Sequence, residues 1–206
     1  MASPIELAPL READVDPDPI RQFAAWFAAA GEAGVAQPEA AALATADDSG
    51  APSVRMVLVK TVDRRGFAFF TNYASRKGRE LAVNPRAALA FYWGPLGRQV
   101  RATGPVVQVS QEETLAYAHS RPRGSQLSAL ASPQSEVISS REDLEARVAE
   151  LAGRYGESEV PVSDSWGGFR LEPREIELWQ QRTDRLHDRI LYTRVDIGWR
   201  MERLAP

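Results

Sequence analysis

Residues 53–71 read SVRMVLVKTVDRRGFAFFT, two runs rich in β-branched and aromatic residues joined by a tight DRRG turn. Strict alternation in the first run puts Val54, Met56 and Leu58 on one face, with Lys60 next in that series, and Arg55, Val57 and Val59 on the other. This pattern commits the middle of the chain to an antiparallel β-meander. AALATA (41–46) reads as a strand before it, and RAALAFYW (86–93) with RQVRATGPVVQVS (98–110) forms another hairpin around GPLG. Strand signals return near the end in GGFRLEP, EIELWQ, RILYTR and GWRMERLAP. Helices are expected over 18–34, with Asp18 as cap, Gly34 as stop and an apolar stripe of Ile20, Phe23, Ala24 and Phe27. Further helices are expected over 75–85 behind Ser75, over 110–122 behind a Ser110–Glu113 capping box, in SQLSALAS, and over 140–156. The last is amphipathic through Leu144, Val148 and Leu151. About six or seven antiparallel strands interrupted by helices predict a mainly β, α+β fold built on a small closed barrel.

Composition narrows the chemistry. The chain has 206 residues, enough for one large core. The proline-rich, acidic start reads as a mobile tail over 1–17, leaving 18–206 as a single domain with helical insertions. No cysteine is present, which excludes disulfides, thiolate metal sites and a cysteine nucleophile, and the presence of only two histidines argues against a conventional zinc site. No apolar run approaches the roughly 20 residues that span a bilayer. The N-terminus lacks a basic region followed by an apolar stretch, so a cytoplasmic protein is expected. No G-x-G-x-x-G follows a strand and no Walker loop occurs, so any nucleotide-like cofactor must be held by side chains and strand edges.

Charge is unevenly placed. The net charge of −3 argues against nucleic acid as a partner, yet residues 51–101 carry ten Lys/Arg and two acids. A basic middle in an acidic chain fits a local site for a small phosphorylated ligand. Only two lysines, Lys60 and Lys77, stand against 23 arginines. Four basic clusters stand out: Arg55 to Lys60, Arg76 and Lys77 at a helix start, Arg121 with Arg123 and Ser125 in HSRPRGSQ, and Arg185, His187 and Arg189 in RLHDR. If RLHDR is a strand, its two arginines and histidine share one face. Spacing alone leaves two readings of each cluster, a solvated basic surface or an anion site. Together the clusters hold more cations than one phosphate requires. No nucleophile elbow or pair of catalytic carboxylates is recognisable, which leaves proton or hydride chemistry on a bound organic cofactor.

The motifs RMVLVK, FFTNYASRKGRELAVNPRAAL, GRQVRATG, HSRPRGSQLSALASPQS, WGGFRLEP, IELWQ, RLHDR and ERLAP, in this order, resemble the pyridoxamine 5′-phosphate oxidase family from about residue 20 to the end. The resemblance implies an FMN-binding split β-barrel homodimer with the flavin between subunits. Matching positions would give the cofactor Arg55, Met56, Val57, Leu58, Val59, Lys60, Phe70, Thr71, Arg76, Lys77, Gln99, Gln134, Ser135, Trp179 and Arg189, some from the partner chain. The substrate phosphate would meet Lys60, Tyr117, Arg121 and Ser125. Arg185, Leu186 and His187 would lie over the pyridine ring, with Arg185 and His187 as the catalytic pair. The implied reaction is hydride transfer from C4′ of pyridoxamine or pyridoxine 5′-phosphate to flavin N5, then reoxidation by O2 to give hydrogen peroxide and pyridoxal 5′-phosphate. One departure is QRTD (181–184), where the family commonly carries glycine, which restricts the backbone there. Two other readings stay open: a phenazine-biosynthesis-type flavin oxidase, and a non-catalytic split-barrel protein that binds FMN or pyridoxal phosphate.

Overall fold

The computed structural model describes residues 8–206. Nine strands form one antiparallel sheet: β1 (Ala40–Ala46), β2 (Pro52–Asp63), β3 (Gly66–Asn72), β4 (Arg86–Trp93), β5 (Arg98–Gln108), β6 (Trp166–Leu171), β7 (Glu175–Gln180), β8 (Asp188–Arg194) and β9 (Trp199–Arg203). Their order is β4-β1-β2-β3-β6-β5-β7-β8-β9. An additional β4–β5 pairing closes the first six into a barrel, from which β7, β8 and β9 continue outward. The strand segments read from the sequence are all present, two or three more than the six or seven expected.

Two long strands make the closure possible. β2 pairs with β1 through Leu58, then with β3 from Val59 onward, with a bulge between Val59 and Thr61. β5 pairs with β4 over Arg98–Pro105, with β7 over Arg98–Thr103 and with β6 at Val106–Gln108. The bulge leaves Lys60 out of the ladder, a device that re-aims a side chain at a barrel rim.

Phe67, Phe69, Phe91, Leu43, Leu89, Val100 and Leu171 of the barrel strands are fully buried, and Ile176 of β7 extends this core. Helix α1 (Pro19–Glu32) plugs one end, with Asp18 accepting the Ile20 N–H as its cap. Phe23 meets Phe67 at 5.1 Å and Phe91 at 4.9 Å between ring centroids, both edge-on. The buried stripe differs from expectation at two positions: Ala24 is exposed, whereas Trp26 is buried. The barrel sits against the Phe23, Trp26 and Ala30 line, which is the i, i+3, i+7 face.

The remaining helices are α2 (Arg76–Val83), α3 (Gln111–Ser120), α4 (Arg123–Ala131) and α5 (Arg141–Tyr155). The Ser110 hydroxyl caps α3 by accepting the Glu113 N–H. The Glu113 carboxylate, however, pairs with the buried Arg170 of β6 at 3.1 Å, and Arg170 also reaches Asp63. A charge network thus ties the β2–β3 turn and the start of α3 to β6.

The expected tail spans 1–17, of which residues 1–7 lie outside the described residues. Beyond them Leu10 and Val15 are buried. The Leu10 N–H donates to Asp188 Oδ2 at 3.0 Å, Arg203 donates to the Leu10 carbonyl, and Tyr192 Oη donates to the Asp16 carbonyl. This segment therefore lies along β7–β9.

Candidate active site

A cleft of about 410 Å³ opens where β2, β3 and the α3–α4 region meet. Met56, Val57 and Leu58 form one wall, and Phe70 and Thr71 the next. Lys77, Tyr117, Arg121 and Gln134 bring the polar groups. Lys77 sits in the first turn of α2, where Ser75 caps the helix. Its ammonium is buried and donates to Thr71 Oγ1 at 3.0 Å, Gln134 Oε1 at 3.1 Å and Ser75 Oγ at 3.2 Å. All three acceptors are neutral. Burial, and then the nearby Arg55 guanidinium, push the Lys77 ammonium down to about 8, and Glu80 opposes the shift. A desolvated cation beside a helix N-terminus, facing an open cleft, has the charge and placement to receive an anion.

Arg55 and Arg76 do not share that freedom. Both pair with Glu80, at 3.2 Å and 2.8 Å. Glu80 is buried and also accepts from the hydroxyls of Ser53 and Thr45. Burial alone would raise its carboxyl, but hydrogen bonds from Ser53, Thr45, Arg76 and Arg55 outweigh that and hold it at about 2. Sequence reasoning missed Glu80. The available signal was its place as one of only two acids in the basic stretch 51–101, four residues after Arg76. The other, Asp63, likewise pairs with arginine, at Arg65 and Arg170.

A second group of expected site residues lies elsewhere. Gln99 of β5, Trp179 of β7 and Arg189 of β8 are directly opposite one another, forming a row across three strands. The Trp179 and His187 rings lie 4.6 Å apart. Glu177, also missed from sequence, is buried and holds Arg189 at 2.8 Å while pairing with Arg101. None of Gln99, Trp179, Arg185, His187 or Arg189 lines the cleft of Lys77 and Arg121.

RLHDR is not one strand. β8 begins at Asp188, so only Arg189 of the three basic residues has a strand face. Thr183–Arg185 form a short 3-10 turn in which Asp184 and Arg185 are left-handed, at φ of 55° and 61°. The shared face expected of Arg185, His187 and Arg189 therefore does not exist. The physical reason is the turn: the Arg182 N–H donates to His187 Nδ1 at 3.1 Å, and Asp188 is held by Leu10 and Arg203. Within the glycine-free QRTD stretch, Gln181 and Arg182 have no positive φ, and the left-handed backbone falls on its last residue, Asp184, and on Arg185 after it.

The residues expected to meet a substrate phosphate are also divided. Tyr117 and Arg121 line the cleft, whereas Lys60 lines a separate apolar cavity with Phe23, Phe27 and Phe91 and pairs with Glu39 at 3.1 Å. Ser125 sits in the first turn of α4, outside the lining. Arg123 turns away, donating to the carbonyls of Gly156 and Ser158 after α5. Ser135 follows Gln134 with a left-handed φ of 74°, bending the chain at the cleft. Val54, Met56 and Tyr92 stay exposed on the outer sheet, an apolar surface of the kind that marks an interface.

Residues 27–155 match the family model described as pyridoxamine 5′-phosphate oxidase, and residues 166–206 match the pyridoxine 5′-phosphate oxidase C-terminal dimerisation region. The chain belongs to the pyridoxamine 5′-phosphate oxidase family. Members of similar sequence include a pyridoxine/pyridoxamine 5′-phosphate oxidase of Rubrobacter xylanophilus, 55% identical over 97% of this chain and 92% of that protein. One of Burkholderia mallei is 54% identical over 97% and 94%. Among solved structures, PhzG from Burkholderia lata 383 in complex with tetrahydrophenazine-1-carboxylic acid is 34% identical, with TM-score 0.91 over 98% of this chain and 100% of that one. A pyridoxamine 5′-phosphate oxidase-related, FMN-binding protein of Nostoc punctiforme shares the fold at 18% identity and TM-score 0.73, covering 91% of this chain and 97% of that one. The split-barrel expectation for this family therefore holds. Among the described residues no helix is long and apolar enough to cross a membrane.

Proposed function

We infer that the chain is a homodimeric, FMN-dependent oxidase that converts pyridoxamine and pyridoxine 5′-phosphates to pyridoxal 5′-phosphate, with O2 as acceptor and hydrogen peroxide as by-product. The carrying observation is one cleft lined by two cations, Lys77 and Arg121, neither within ion-pairing distance of a carboxylate among the described residues. Two such groups suit two phosphate esters. In this reading Lys77 and the free nitrogens of Arg76, with Gln134 and Ser135, hold the FMN phosphate. Met56 to Leu58, Phe70 and Thr71 line the flavin. Tyr117 and Arg121 take the substrate phosphate, with Lys60 and Ser125 closing on it from the margins.

Gln99, Trp179, Arg185, His187 and Arg189 reach this cleft only from a second copy. They lie apart from it in their own chain, and four of the five fall within the segment matched to the dimerisation region. The exposed Val54, Met56 and Tyr92 give such a dimer an apolar surface to bury. FMN, when bound, supplies the hydride acceptor. The chain's own work is positional: it fixes the pyridine ring against the flavin, excludes water with aromatic walls, and surrounds the reacting pair with positive charge. The Arg182 N–H at His187 Nδ1 leaves Nε2 as that ring's donor, so His187 orients substrate as a hydrogen-bond donor.

The likeness to PhzG favours one competing reading, oxidation of a reduced phenazine carboxylic acid. The two separate. Under anaerobic conditions pyridoxine 5′-phosphate is expected to bleach the yellow holoprotein, and O2 to restore the colour with stoichiometric hydrogen peroxide. Bleaching by the phenazine substrate alone would replace the reading, and binding of the vitamer without bleaching would make the protein a carrier.

Lys77 carries a pH prediction. Its folded pKa of about 8 lies below the ordinary 10.5, so the free site holds its full charge only below about pH 8. FMN affinity is expected to fall as pH rises through that value, by up to tenfold per unit. Lys77→Met should weaken FMN binding about tenfold to a hundredfold at pH 7 and remove the pH step, read by flavin fluorescence titration. A step retained in Lys77→Met would assign the titration to another group.

A further inference from the structure

Trp166, the first residue of β6, has so far had no role. Its indole lies at the junction of the cleft and two smaller cavities. Three aromatic rings stack there nearly parallel. Phe70 and Tyr117 are 4.0 Å apart, Phe70 and Trp166 are 5.8 Å apart at 17°, and Tyr117 and Trp166 are 6.2 Å apart at 9°. The guanidinium carbon of Arg121 sits 5.0 Å from the Trp166 ring centroid. The sequence WGG permits this arrangement. A Cβ at Gly168 would come within 2.8 Å of the Phe70 ring, so glycine lets Phe70 lie down against β6 and into the stack.

Arg121 has no carboxylate within ion-pairing distance among the described residues, and the indole face is the group that orients it. A cation–π contact within about 6 Å restricts a long side chain to the rotamers that keep it over the ring. We propose that Trp166 is a positioning residue that holds the Arg121 guanidinium over the cleft and thereby sets its preference for a phosphorylated substrate. This rests on the oxidase reading above, and it extends that reading to a residue outside those assigned to cofactor or substrate. Trp166 touches no reacting atom in this account. It acts through Arg121, and its effect belongs in substrate binding rather than in turnover.

The test uses the FMN-loaded protein and two readouts: KM and kcat with pyridoxine 5′-phosphate, and binding of pyridoxal 5′-phosphate by equilibrium dialysis. Trp166→Leu is expected to raise KM and the dissociation constant about tenfold, with kcat and FMN content within twofold of wild type. Trp166→Phe, which keeps an aromatic face, should recover most of that loss. In an Arg121→Ala background, Trp166→Leu should add less than twofold, because the group it positions is gone. Unchanged binding in Trp166→Leu overturns the proposal. So does a loss that persists in full without Arg121, or equal losses in Trp166→Phe and Trp166→Leu. Wild-type protein that binds pyridoxal 5′-phosphate but oxidises no vitamer would sink the reaction while leaving the dialysis result to decide the role of Trp166.

Discussion

Arg185→Ala is expected to lower kcat about a hundredfold to a thousandfold with little loss of bound flavin. Arg185 stands on the exposed turn between β7 and β8, outside the cleft of its own chain. In the dimeric reading it enters the other copy's cleft and faces the substrate, where removing one preorganised cationic donor has an effect of that size. The turn is built to present it. Asp184 and Arg185 are consecutive left-handed residues bearing side chains, a conformation that costs of order 1 kcal/mol or more each and persists only when its surroundings fix it. Here the surroundings are the Arg182–His187 hydrogen bond, the His187–Trp179 ring contact and the anchoring of Asp188. Alanine keeps the Cβ and the backbone demand, so the variant isolates the guanidinium. Arg185→Gly should lose the same activity while relaxing the turn. Steady-state rates normalised to bound flavin are the measurement. Flavin loss with intact turnover per flavin would move Arg185 from the substrate to the cofactor.

The second large effect is on stability. Glu80→Ala is expected to destabilise the fold by about 3–5 kcal/mol, or roughly 10 °C in Tm, because it leaves the partly buried Arg55 and the Ser53 and Thr45 hydroxyls without their common acceptor. The pH dependence has a definite sign. The folded pKa of about 2 lies below the ordinary 4.5. Glu80 therefore contributes its full stability above about pH 4.5 and loses it as pH falls through about 2. Denaturant midpoints of wild type and Glu80→Ala should differ most near neutrality and converge in acid. Equal midpoints at pH 7 would show that the arginines, not the carboxylate, organise this corner of the barrel. FMN affinity should fall as well, since Arg55 and Arg76 lose the group that holds them beside Lys77.

Local pattern made much of this legible. The alternation of β2, the Asp18, Ser75 and Ser110 caps, and the turns between strands are short-range features, and each appears where the residues place it. The anion cleft was legible only in part. Lys77 stood out because lysine is scarce, and Arg121 because it adjoins a proline, yet Glu80 and Trp166 carried no local mark of their roles. Glu80 matters because Arg55, 25 residues away, ends beside it. Trp166 matters because a helix and a strand bring Tyr117 and Phe70 to its face. RLHDR misled for a related reason. Its alternation is strand-like, but long-range contacts from Leu10 and Arg203 fix Asp188 and turn the residues before it out of the ladder.

By itself the sequence determined the strands, the helix starts, the surplus of cations and the family motifs, since these depend on side-chain period, capping chemistry and residue choice over a few positions. Only the tertiary structure decided which cations are neutralised within the chain and which face an open cleft. It also decided that most of the matched residues fall in two separate groups, one beside Lys77 and one around Trp179, with Lys60 apart from both. The reason is that a charge is defined by what lies within a few ångströms of it, and barrel closure brings together groups that are remote along the chain.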